Sequence, residues 1–188
     1  MTAIDASTRD DALVALARTG DEAAFAALMQ RYKGRVYRLA LNSIADPDEA
    51  LDVVQDTFLS AYRALSRYDP ERSLATWLAA ITLNKCRDRA RRRALRAFFF
   101  GARPIDDLAD TLAAGDADPA RSAADRQELA RVRAAMAGLP AALREPLLLC
   151  TVEEMRHAEA ATLLGITPKA VETRIRRARA RLNELLER

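Results

Sequence analysis

Two runs of basic side chains dominate the chemistry open to this chain. Lys85 to Arg96 holds Lys85, Arg87, Arg89, Arg91, Arg92, Arg93 and Arg96 against a single acid, Asp88. Lys169 to Arg181 holds Lys169, Arg174, Arg176, Arg177, Arg179 and Arg181 against Glu172. Guanidinium groups pair bidentately with phosphate oxygens and with guanine edges, so clustered arginine is the footprint of nucleic-acid binding. The same pattern also describes a solvated helix face. The formal net charge is only +3, so any such signal lies in the distribution and not in the total.

Chemistry of other kinds has little to work with. One histidine and two distant cysteines, Cys86 and Cys150, without C-x-x-C spacing, make a poor metal site. No nucleophile–base set and no phosphate-binding glycine loop is visible, so no catalytic residue, metal or cofactor is assigned and the chain is not read as an enzyme. Both cysteines fall in apolar helical patterns and are expected to be buried thiols.

The elements that must carry the basic runs are helical. Half of the residues are apolar, Gly and Pro number only 6 and 7, and Ala and Leu are abundant helix formers. No stretch alternates as a strand would. A short helix is expected near Asp10 to Arg18, then a long one with Phe25, Leu28, Tyr32, Val36, Leu39 and Ala40 on one face. Asp46-Pro47-Asp48-Glu49 is a helix start, with a capping aspartate and proline at the first helical position. The next helix turns Leu51, Val54, Phe58, Ala61, Tyr62 and Leu65 inward and shows Asp52, Gln55 and Asp56 on its other face. Pro70 disfavours helix at Asp69, so Arg67 to Ser73 is a loop. A helix through Trp77, Leu78, Ile81, Leu83 and Cys86 then leads into the first basic run. Trp77 reads as core with Leu74, Leu78 and Ile81.

Gly101 to about Arg126 has Pro104, Gly115, Pro119 and scattered aspartates, a composition that buries too little surface to fold alone. The expected architecture is all-α: two small helical domains, 10–100 and 126–188, joined by a flexible acidic linker, 101–125. Residues 159–173 have the spacing of a helix-turn-helix, with small Ala161 at the crossing and Gly165 at the tight turn. Its second helix presents Lys169, Ala170, Thr173, Arg174, Arg176 and Arg177 in the half that enters a major groove in such motifs. An ordinary helical hairpin with a glycine turn has the same spacing. Met1 to Asp11 has no apolar run and no stretch approaches the ~20 apolar residues of a membrane span, so a soluble, cytoplasmic protein without membrane insertion is expected.

Three stretches together resemble a known family. Asp21-Glu22-Ala23-Ala24-Phe25 with Tyr32 and Val36-Tyr37-Arg38-Leu39-Ala40 looks like the opening helix of extracytoplasmic-function (ECF) RNA polymerase sigma factors. The run Asp46 to Phe58 looks like their polymerase-clamp helix, and Trp77 to Arg92 like their −10-reading helix. Leu139-Pro140 through Leu182 resembles the C-terminal domain that binds the promoter −35 element. The resemblance implies polymerase binding by Asp52, Gln55 and Asp56. It implies −10 contacts by Arg67, Tyr68 and Arg72 of the loop and by Asn84, Arg87, Asp88 and Arg91. It implies −35 contacts by the recognition-helix residues Lys169, Ala170, Thr173, Arg174, Arg176 and Arg177. The implied partners are core RNA polymerase, promoter DNA and an anti-sigma factor.

Two departures stand in the second half. Glu154-Met155-Arg156-His157 replaces a Gly-Leu-Ser-Tyr-like stretch, and His157 is expected to pack where the family has an aromatic residue. Pro146 falls inside a helix and is expected to delay its start or kink it. Two other readings remain: a sigma mimic that sequesters an anti-sigma factor, which would not need the DNA-facing arginines, and a stand-alone helix-turn-helix regulator, which would leave the Asp46 to Arg93 motifs unexplained.

Overall fold

The computed structural model describes residues 8–100 and 123–187, and among these every regular element is helical. The first half contains α1 (Asp10–Arg18), α2 (Glu22–Ile44), α3 (Pro47–Ala64) and α4 (Leu74–Phe100), with a single 3-10 turn at Leu65–Arg67. The second half contains α5 (Ala123–Ala137), α6 (Ala141–Thr151), α7 (His157–Leu164) and α8 (Pro168–Leu186). The expected linker lies mostly outside the described residues.

Helix starts follow their caps. The Asp21 carboxylate accepts from the Ala24 N–H at 3.0 Å, Asp46 from Glu49 N–H at 2.9 Å, and the Thr167 hydroxyl from Ala170 N–H at 3.1 Å. Pro47 and Pro168 occupy the first turns behind two of these caps, where a missing N–H costs nothing. At the end of α7, Gly165 turns left-handed at φ 65°, and Ile166 N–H reaches back to Ala161 C=O at 3.0 Å. That is a glycine-terminated helix closing on its own last turn.

The apolar stripes meet in two main clusters. Leu13, Val14 and Ala17 of α1 join Leu28 and Val36 of α2, Phe58 of α3, and Leu74 and Leu78 of α4. Asp10 ties this corner by accepting from both Arg31 and Tyr32. The other cluster crosses between the halves: Leu39 of α2 and Ala79 and Leu83 of α4 pack in one core with Leu147, Leu148 and Leu149 of α6 and Val171 and Ile175 of α8. Leu39, Leu83, Leu148, Leu149 and Val171 are at most 2% exposed, so this is a dry seam and not a glancing contact.

Several expectations change. Helix α6 starts at Ala141, without delay, and runs through a fully buried Pro146 to Thr151. The proline costs one backbone bond, but its ring fills the core. Arg144 N–H bonds to Pro140 C=O, and the Arg144 side chain ties down Ala137 C=O at 2.6 Å and Leu139 C=O at 3.2 Å, closing the α5–α6 turn. His157 does not pack: it is exposed at the first position of α7, because Glu159 and the Arg156 N–H, 2.8 Å apart, fix that helix start without it. Cys86 is buried as expected, whereas Cys150 is only half-buried.

Candidate nucleic-acid interface

The recognition-helix residues fall on the outer side of α8. Val171, Ile175 and Ala178 point into the core, and the 3.6-residue period then turns Lys169, Arg176 and Arg177 fully outward, with Ala170, Thr173 and Arg174 half-buried beside them. Lys169 pairs with Glu172 at 2.9 Å on its own helix. Arg174, Arg176, Arg177 and Arg179 make no ion pair among the described residues, so their guanidinium groups are available to an anionic partner. Arg176 and Arg179 also line an open cleft of about 500 Å³ with Arg156 and His157 at the start of α7. The sequence pattern does not single out Arg156 or Arg179 for this surface, because only the α7–α8 crossing brings these residues, 23 positions apart, together.

The basic run of α4 is organised differently. Arg89 bridges Asp52 at 3.3 Å and Asp56 at 3.4 Å on α3, and Arg93 reaches Glu49 at 2.9 Å. Asp88 pairs with Arg91 on the same helix. The Arg87 guanidinium is held bidentately by Glu145 of α6, at 2.6 Å and 2.5 Å, and also donates to the Asn84 side-chain oxygen at 2.9 Å. That carboxylate holds Arg87 firmly in its charged form, against the opposing effect of burial. Asn84 and Arg91 are exposed, and Asp88 is half-buried.

The proposed clamp residues share one face of α3: Asp52 and Gln55 are exposed and Asp56 half-exposed. Leu51 and Leu59, 46% and 48% exposed, widen that face with apolar surface. In the loop before α4, Arg67 and Arg72 are exposed, but Tyr68 is only 8% exposed. Its ring packs at a tilt against Trp77, centroids 5.0 Å apart, and its hydroxyl donates to Arg72 C=O. Tyr68 thus belongs to the core of the first half, where it shapes the loop from beneath. Trp77, half-buried, packs on the same cluster.

Residues 28–96 match Sigma-70 region 2, and residues 129–182 match Sigma-70, region 4. The RNA polymerase sigma factor NccH of Alcaligenes xylosoxydans xylosoxydans is 41% identical over 179 residues, covering 95% of both chains. The ECF RNA polymerase sigma factor SigM of Mycobacterium tuberculosis is 33% identical over 179 residues, covering 95% of this chain and 85% of that one. The chain belongs to the ECF RNA polymerase sigma factors. This sigma factor binds core RNA polymerase and directs promoter-specific initiation of transcription, and its two basic runs, 85–96 and 169–181, lie within the two matched regions. The solved structure of CnrH in complex with the cytosolic domain of CnrY is similar in fold, with TM-score 0.68 and 35% identity, covering 97% of this chain and 98% of that one. No helix among the described residues is long and apolar enough to cross a membrane, and no group of three or more His, Cys, Asp or Glu among them could hold a metal ion.

Proposed function

We propose the following division of labour within this sigma factor. Residues 10–100 dock on core polymerase and read the −10 element, 101–125 link, and 126–188 grip the −35 duplex. Asp52, Gln55 and Asp56, with Leu51 and Leu59 beside them, form the polymerase-facing side of α3. Asn84, Arg87, Asp88 and Arg91 of α4, with Arg67 and Arg72 of the preceding loop, engage the −10 strand. Lys169, Ala170, Thr173, Arg174, Arg176 and Arg177 enter the −35 major groove, where a bidentate arginine contributes about 1–3 kcal/mol of base discrimination. Tyr68 supports the loop from the core. The protein works in the cytoplasm and by binding alone, without a catalytic step of its own.

The observation that carries this reading is the pairing of an outward α8 arginine face with a second basic helix, α4, in one chain. A sigma mimic needs neither surface, and a stand-alone repressor needs only one. Run-off transcription with core enzyme on a randomised promoter library should yield a promoter with separate −35 and −10 blocks, dependent on added protein. Tight, specific operator binding in the absence of polymerase would overturn the assignment.

Control by an anti-sigma factor is part of the same proposal. The solved CnrH is bound by the cytosolic domain of CnrY, and this chain covers almost all of CnrH at a similar fold. An inhibitor of that kind, co-expressed with this sigma factor, should co-purify with it and silence the run-off product.

A further inference from the structure

Helix α4 outruns the core it belongs to. Its last member of an apolar cluster among the described residues is Cys86. Its last ion pair with another helix is Arg93 to Glu49. The helix nevertheless continues to Phe100, and the stretch from Cys86 to Phe99 is about 20 Å long at 1.5 Å per residue. Its far end carries Leu95, Phe98 and Phe99, which are 57%, 82% and 70% exposed. The two rings meet edge to face, with centroids 5.5 Å apart. Single exposed apolar side chains are ordinary, but three within two turns make a patch of the kind that marks binding.

The patch prolongs a stripe. At 3.6 residues per turn, Asn84, Asp88, Arg91, Leu95 and the Phe98–Phe99 pair fall within about 50° of one line along the helix. That line is the face of α4 proposed above to meet the −10 strand. Lys85, Arg92 and Arg96 lie to one side of it without an ion pair among the described residues, and Arg92 and Arg96 are exposed. Aromatic rings flanked by free cations suit a ligand that carries flat rings on an anionic backbone. Single-stranded nucleic acid is such a ligand, because its bases stack on aromatic side chains whatever their identity. The partner of α3 is a poorer match. A surface complementary to Asp52 and Asp56 is basic, and Arg91, Arg92 and Arg96 repel it.

We propose that Leu95, Phe98 and Phe99 form a stacking platform at the end of α4, which holds one unstacked base of the promoter strand beside the −10 element while Arg92 and Arg96 take the adjacent phosphates. This rests on the reading of α4 as the −10 helix. Every base has a π-face, so the platform accepts any of the four. It lengthens the strand held in the melted state without adding a letter to the promoter.

The test uses the holoenzyme on the promoter that run-off selection returns, with the lifetime of the open complex as readout. Abasic sites are placed one at a time in the strand on either side of the −10 block. Phe98→Leu with Phe99→Leu keeps apolar bulk and removes the rings, and Phe98→Tyr with Phe99→Tyr restores them. All four changes are at exposed positions. The wild type should lose about fivefold or more in lifetime at one abasic position. The leucine variant should show that loss on intact DNA and no further loss at the same abasic position, and the tyrosine variant should behave as the wild type. Additive losses in this protein-by-base cycle overturn the platform, as does a leucine variant with the wild-type lifetime. Weaker competition for core polymerase by the leucine variant assigns the patch to a polymerase contact and overturns it too. So does a wild-type dimer that the leucine variant abolishes. Failure of the wild type to yield any promoter product overturns the reading of α4 and the platform with it, whereas normal product with indifferent variants overturns the platform alone.

Discussion

The two basic helices have similar sequences of charge and opposite circumstances. On α8, Arg176, Arg177 and Arg179 are exposed and Arg174 half-buried, and none of the four has a carboxylate partner among the described residues. On α4, Arg87, Arg89, Arg91 and Arg93 are each paired, and two of these four pairs, at Arg89 and Arg93, return to the acidic face of α3. The difference shows that a run of arginines does not define a binding surface until its counter-charges are located. Asp52 and Asp56, which anchor Arg89, are the carboxylates we propose to face the polymerase, so the two proposed functions of the first half share side chains.

The comparison can be broken at its common support first. Leu148 is fully buried in the seam that both halves share. Leu148→Ala should cost about 2–5 kcal/mol, read as a lower urea midpoint, and should loosen both basic helices relative to each other. An effect below about 1 kcal/mol would show that the seam collapses around the cavity and contributes little.

Next come the arginines themselves. Arg174→Ala and Arg177→Ala should each weaken promoter binding by about 1–3 kcal/mol, roughly 5- to 150-fold, and lower promoter-directed transcription accordingly, without changing compactness. The salt dependence of duplex binding should fall by roughly 0.9 in slope for each phosphate that is no longer neutralised. Arg93→Ala, whose partner Glu49 lies in the first half, should instead show its effect on the α3–α4 packing, read as a change in thermal midpoint. Equal effects of all three on duplex binding would erase the distinction between the helices.

The capping residues give a smaller and more symmetrical test. Asp46→Ala at the start of α3 and Thr167→Ala at the start of α8 should each cost about 1 kcal/mol of stability, because each removes one side-chain bond to an otherwise unpaired N–H. Only Thr167→Ala should also weaken duplex binding, since it frays the end of the recognition helix.

The cysteines, one in each half, separate by reactivity. Burial pushes the Cys86 thiol up to about 11, and burial raises Cys150 as well. The neutral thiol is then favoured by the folded chain, so the folded state binds more protons above the ordinary thiol value. Stability should decline as pH rises through the window from about 9 towards 11. Cys86→Ala should flatten part of that slope. Iodoacetamide at pH 8 should label half-buried Cys150 before Cys86 in the native protein, and reversal of that order would show that α4 opens more readily than α6.

Much of this molecule is legible along the chain because its signals are local. The caps at Asp46 and Thr167, the glycine turn at Gly165 and the inward stripe of α8 are all set by residues within one or two helical turns. Tyr68 reads as a DNA contact along the chain because the loop that holds it, Arg67 to Ser73, resembles a −10-contacting loop of the family. Its burial depends on Trp77, nine positions away, and on how α4 leaves the loop. His157 reads as packing because an aromatic residue occupies that place in the family, yet the helix start there is already fixed by Glu159. The Arg156–Arg179 side of the cleft depends on the crossing of α7 and α8, which no single periodicity encodes.

The helices, the capped starts of α3 and α8, the basic face of α8 and the family are already written along the chain, since periodicity, capping and motif order are properties of neighbouring residues. Which charges are spoken for, and where α6 begins, follow from the fold. Glu145 lies 58 positions from Arg87, and Glu153 lies 118 from Arg35. Nothing local marks either glutamate as different from an ordinary surface acid. Burial makes them different, because a carboxylate shut away from water must find its counter-charge wherever the fold has brought one.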